Sequence, residues 1–106
     1  MPTDVRVVLV TVPSAEKALE LARTVVEERL AACVNVVPSV RSVYRWEGKV
    51  QDDAEALLVI KTTAAGLEPL RARLVALHPY QCPEVLALPV EAGHAPYLEW
   101  VGTSVG

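Results

Sequence analysis

The sequence predicts an α+β fold, a ferredoxin-like βαββαβ sandwich with a long central hairpin and a short C-terminal helix. Three observations predict it. β-branched runs at Val5–Val12, Cys33–Trp46 and Val50–Thr62 are separated or followed by Leu- and Ala-rich stretches at helical spacing. The two longest runs are joined only by the turn around Glu47-Gly48, where glycine supplies the positive φ of a tight hairpin. The 106 residues are 52% hydrophobic and carry no repeat or linker, so one packed domain over residues 1–106 is expected.

Each element has its own local reason. Val5–Val12 is nearly all β-branched and reads as a central strand that Pro13 ends. Ser14 is a helix N-cap, and Glu16 suits the positive end of the helix dipole. Leu19, Ala22, Val26 and Leu30 recur at helical spacing, which predicts a helix to about Leu30 with that stripe buried. In the Cys33–Trp46 strand, Pro38 cannot donate to a ladder and marks a bulge or an edge. The return strand alternates, with Glu55, Leu57, Val59 and Lys61 on one face and Ala54, Ala56, Leu58 and Ile60 on the other. Leu67, Leu70, Leu74 and Leu77 form a second helical stripe, with Pro69 in its first turn and His78-Pro79 as its end. Val85–Leu88 is a short strand between prolines, and Pro96 opens a last helix carrying Tyr97, Leu98, Trp100 and Val101.

The hairpin is too long for the helices beside it. Strands of this length span roughly 43 Å at ~3.3 Å per residue, against roughly 24 Å for the first helix at ~1.5 Å per residue. The overhang carries Val40, Val43, Tyr44, Trp46 and Val50, and a bare apolar ribbon is marginal in water. A symmetric oligomer that buries it is the expectation.

Composition removes several function classes. A net charge of −3 argues against nucleic acid or an anionic membrane as partner. No run of about 18 apolar residues predicts a membrane span. Met1-Pro2-Thr3-Asp4 leads straight into a strand with no signal-peptide pattern, and Cys33 and Cys82 lack CxxC spacing. A cytoplasmic protein with reduced thiols is expected. Phosphate-binding and dinucleotide glycine motifs and the G-x-S-x-G elbow are absent, and no base-and-nucleophile pair stands out, so no enzyme is expected. The central strands lack aromatics on which a base could stack.

The unusual polar cluster is His78-Pro79-Tyr80-Gln81-Cys82-Pro83-Glu84, an imidazole, a phenol, a thiol and a carboxylate on a loop stiffened by prolines. Its residue types suit ligands or proton carriers, and its spacing equally suits a stiff helix-to-strand connector, with His78 on the helix C-terminal carbonyls. Lys61 can meet an anion or the Glu84 carboxylate, or snorkel at the sheet edge. Cys33 reads as packing, as do Trp46 and Trp100 unless they lie at an interface.

Taken in order, Ala32-Cys33-Val34-Asn35, Ser42-Val43-Tyr44-Arg45-Trp46-Glu47-Gly48-Lys49, Lys61-Thr62-Thr63, the His78–Glu84 loop and Tyr97-Leu98-Glu99-Trp100 resemble the divalent-cation tolerance proteins, the CutA family. The resemblance implies a cytoplasmic homotrimer of ferredoxin-like subunits, similar in architecture to the PII signalling trimers, with a part in tolerance of copper and other divalent metals. Val10 stands where copper-binding relatives can carry cysteine, and only His78 remains of a His-His pair, so weak binding of copper or another divalent cation is expected. The expected metal ligands are His78, Glu84 and Cys82, near a subunit boundary. The alternative is a small-molecule sensor whose inter-subunit cleft uses Lys61, Glu55, Tyr80, Trp46 and Cys33, with Glu84, to hold a small anionic or zwitterionic ligand.

Overall fold

The computed structural model describes residues 3–106; Met1 and Pro2, which open the N-terminal stretch read above, lie outside the described residues. The element order is β1 (Val5–Val12), α1 (Ala15–Glu27), β2 (Cys33–Trp46), β3 (Lys49–Thr63), α2 (Ala64–Leu77), β4 (Leu86–Pro89) and α3 (Ala95–Ser104). The strands form one antiparallel sheet in the order β2-β3-β1-β4. This is the ferredoxin-like α+β arrangement that the alternating runs predict.

The register explains the two faces. Val8, Val10 and Val12 of β1 stand opposite Ile60, Leu58 and Ala56 of β3, and all six are buried beneath the helices. α1 adds Ala18, Leu21, Ala22 and Val25 to this core, and α2 adds Leu70 and Leu74. The alternate residues, among them Leu9, Val59 and Leu57, form an open face that α1 and α2 do not cover. At one end α3 buries Val101 against Val5 and Ala32.

Two helical details differ from the sequence reading. The buried stripe of α1 is Ala18, Leu21, Ala22 and Val25, while Leu19 and Val26 are exposed. The apolar arc of α1 is wider than its contact with the sheet, so spacing alone does not select which edge turns inward. The helix also ends at Glu27, because Arg29 takes a left-handed φ of 61° that stops it short of Leu30. In α2 the start is earlier than the leucine stripe implies. The Thr63 hydroxyl accepts from the Gly66 amide and caps a helix beginning at Ala64. Pro69 therefore sits inside the helix rather than in its first turn. The carbonyl it leaves without a donor belongs to Ala65, which is exposed and can use water.

The hairpin matches its reading closely. Glu47 and Gly48 both have positive φ, 50° and 79°, as a two-residue primed turn requires. The β2–β3 register shifts between Val37 and Val40, across Pro38, and β2 is an edge strand, so Pro38 is both at a bulge and at an edge. β1 pairs with β3 only from Ala56 to Thr63. Residues 49–55 of β3 and 40–46 of β2 extend beyond it, and the described chain reaches 44 Å in its longest dimension.

Candidate functional site

A cleft of about 800 Å³ opens where the overhanging hairpin meets the loop after α2. Tyr44, Trp46 and Glu55 line it from the hairpin, and Tyr80, Cys82 and Glu84 from the loop. The two walls are joined by one hydrogen bond, from the Tyr80 hydroxyl to Glu55 Oε2 at 2.6 Å. Glu55 is only 9% exposed, the one largely buried carboxylate among the described residues. Burial pushes the Tyr80 phenol well above its usual range, and the neighbouring Glu55 carboxylate pushes it further. Further out, the Tyr44 hydroxyl donates to Asp53 Oδ2 at 2.5 Å and the Arg41 Nε–H donates to Asp52 Oδ1 at 2.8 Å. The hydrogen bond to Asp53 is the main reason the Tyr44 phenol is also raised.

His78 fixes the loop from behind. Its Nε2 lies 2.7 Å from the Thr11 carbonyl, and the Tyr80 amide donates to Nδ1 at 3.1 Å. A carbonyl only accepts and an amide N–H only donates, so this arrangement assigns the proton to Nε2 and the lone pair to Nδ1. Both ring nitrogens are thereby engaged, and the ring is buried and packs at 4.7 Å against the ring of Tyr80. His78 thus reaches across to β1, not to the carbonyls at the C-terminus of its own helix.

Apart from His78, which lies behind the loop and does not line the cleft, the expected site residues fall into two groups. Glu55, Tyr80, Trp46, Cys82 and Glu84 line the one cleft. Lys61 and Cys33 do not, and they sit opposite each other at the far end of the β2–β3 ladder. Six positions of β3 separate Lys61 from Glu55, roughly 20 Å of strand. Lys61 Nζ donates to Asn35 Oδ1 and, at 3.4 Å, to the Val59 carbonyl, not to Glu84. Beside Cys33, burial and the nearby thiol raise the Tyr97 phenol. Among the described residues no three His, Cys, Asp or Glu side chains stand close enough to hold a metal ion, so one chain does not assemble His78, Cys82 and Glu84 into a centre. The Glu55–Tyr80 bond and the Thr11–His78 bond were invisible to sequence reasoning, because no spacing rule links positions 25 and 67 residues apart. Glu55 interrupting the apolar face of a strand was the one available signal.

The profile of the CutA1 divalent ion tolerance protein family matches residues 6–104. The chain belongs to that family. It is 52% identical over 100 residues to the divalent-cation tolerance protein CutA of Thermus thermophilus, covering 94% of this chain and 97% of that protein. It is 55% identical over 98 residues to the chloroplastic protein CutA of Arabidopsis thaliana, covering 92% of this chain but 54% of that longer one. Among solved structures, the Thermus thermophilus protein superposes with a TM-score of 0.93 at 51% identity, over 96% of this chain and 99% of its own. CutA of Xylella fastidiosa superposes with a TM-score of 0.95 at 41% identity, over 98% of this chain and 100% of its own. CutA of Archaeoglobus fulgidus, described as periplasmic, gives 0.93 at 32% identity, over 96% and 99%. The family is named for tolerance of divalent cations. No helix of the described residues is long and apolar enough to cross a membrane.

Proposed function

We propose that this chain acts in divalent-cation tolerance as a non-enzymatic homotrimer that binds copper or another divalent cation weakly beside a subunit boundary. The observation that carries the reading is the overhang of the β2–β3 hairpin. Val43 and Val50 are each 66% exposed there, with Tyr44 and Trp46 also exposed on a ribbon that β1 does not support. Such a ribbon gains stability from a neighbouring chain, and a rotation that closes gives a ring. On the open face Leu86, Leu88 and Val37 are exposed as well, which extends the apolar surface a neighbour would cover.

The metal reading is sharpened by His78. A metal at His78 would have to break one of its two hydrogen bonds, so the ligands we propose are the Cys82 thiolate and the Glu84 carboxylate, with His78 holding the loop that carries them. Two donors from one chain make a weak site, and they turn toward the cleft that a neighbour borders. Calorimetric titration of copper and zinc into the wild type, Cys82→Ser, Glu84→Gln and His78→Ala tests this. Loss of binding in the first two variants with retention in a folded His78→Ala is expected. Loss confined to His78→Ala would return that residue to the metal. Residence in the cytoplasm belongs to the same proposal.

A second reading, a PII-like sensor, is favoured by the cleft itself, whose volume falls in the roughly 300–1,000 Å³ range of small-molecule sites. Its Trp46 and Tyr80 give it aromatic walls. Lys61, on which an anionic ligand was expected to rest, is remote within one chain. Trp46 fluorescence across a metabolite panel, followed by calorimetry, checks the reading, and silence in both removes it.

A further inference from the structure

Among the charges of β3, Lys49 and Asp53 are exposed to water, but Glu55 and Lys61 are not, and neither has an opposite charge beside it among the described residues. Glu55 is nine-tenths buried, yet its one hydrogen bond is from the neutral Tyr80 hydroxyl to Oε2. No ion pair reaches it among the described residues. Lys61 is half-buried, and its ammonium donates only to the neutral Asn35 and Val59 oxygens. In regular alternation the two residues share the open face of the strand. They lie roughly 20 Å apart along it and cannot meet in one chain.

The remaining cations are differently placed. Lys17, Arg41, Arg71 and Arg73 pair with carboxylates. Arg6 and Arg29 donate to backbone carbonyls. Arg23, Arg45 and Lys49 are exposed on a helix surface or at the hairpin tip, where water serves them. Lys61 alone stands unpaired among the apolar side chains that an assembled face would dry.

Covering that face strips the remaining water from both charges, and a desolvated charge is stable only when paired and hydrogen-bonded. We propose that the Lys61 ammonium of one copy docks on the Glu55–Tyr80 pair of the next, completing a site that a single chain leaves open. Tyr80 occupies Oε2, which leaves Oε1 for the ammonium. One contact satisfies both charges. Because it joins opposite ends of β3, it runs head to tail and is repeated at every boundary of a closed ring. The inference rests on the oligomer proposed above and names the residues that fix its register.

The test compares wild type, Glu55→Gln, Lys61→Met and the double variant by sedimentation over a dilution series, with circular dichroism to verify the fold. Each near-isosteric single change is expected to weaken association about tenfold or more, and the double variant to lose far less than the product of the two. Glu55→Lys with Lys61→Glu together should recover assembly that either reversal alone destroys. Losses that simply multiply, or no loss, in a wild type that assembles would overturn the pairing and leave the oligomer standing. A wild type that stays a single chain at every concentration would overturn both.

Discussion

One strand, β3, runs through two different environments. From Ala56 to Thr63 it is paired with β1, with β2 on its other side from Leu57 to Lys61, and Ala56, Leu58 and Ile60 are fully buried beneath α1 and α2. From Lys49 to Glu55 it has β2 alone for company, and Val50 points into water. The first half meets every requirement of a core within one chain. The second half is well-formed β-structure with no core of its own. On the oligomer proposed above, the β-branched and aromatic residues that continue past the end of the helices are a surface for a second copy, and the cleft forms where the two halves join.

Substitutions in each half should separate these roles. Ile60→Ala or Leu58→Ala, in the covered half, should lower stability by about 2–5 kcal/mol through lost burial and the cavity left behind, measured by chemical denaturation. His78→Ala, at the junction, removes a donor to Thr11 and an acceptor for Tyr80. Its expected loss is about 1–3 kcal/mol, because two partly buried backbone groups lose their side-chain partner. Val43→Ser with Trp46→Ala, in the bare half, should leave the circular dichroism spectrum unchanged and lower the mass seen by light scattering. A large loss of secondary structure in this variant would break the distinction between the halves.

The junction also predicts a pH dependence. The Tyr80 phenol has its pKa raised by burial and by Glu55, so the folded state holds that proton more tightly than the unfolded chain does. The stabilisation is fully present below the unfolded value near 10 and is lost as pH rises toward the folded value. Tyr80→Phe should flatten the fall in unfolding midpoint above about pH 10 and leave its slope near neutrality unchanged. The smallest effect belongs to the exposed Arg71–Glu68 pair within α2. Arg71 holds Glu68 below the usual carboxylate range, so any stabilisation is present above that range and lost on acidification. Solvent screening makes it slight, and Glu68→Gln should leave the midpoint at pH 7 unmoved.

Local patterns carried most of the fold. β1 and β2 have the bounds that their β-branched composition predicts, and Pro38 marks the bulge. What was not legible depended on choices made in three dimensions. Leu19 and Leu21 are equally apolar, and only docking on the sheet decides that Leu21 is the buried one. The leucine stripe of α2 does not announce that Thr63 starts the helix, since the capping hydroxyl lies ahead of the first leucine. For the site, the expected metal ligands Cys82 and Glu84 and the residues Glu55, Tyr80 and Trp46 of the alternative sensor cleft line one cleft. The same sensor reading also placed Lys61 and Cys33 there, and their distance from that cleft follows from strand length. Alternation reports which face a residue occupies but not which end of a long strand meets a loop encoded far away.

On the proposed reading, the bare half of the hairpin is an assembly surface. Light scattering of the wild-type protein coupled to size-exclusion chromatography tests it most directly. The expected result is a mass three times the 11.5 kDa of one chain, held on dilution. A mass of one chain across the whole concentration range would contradict it.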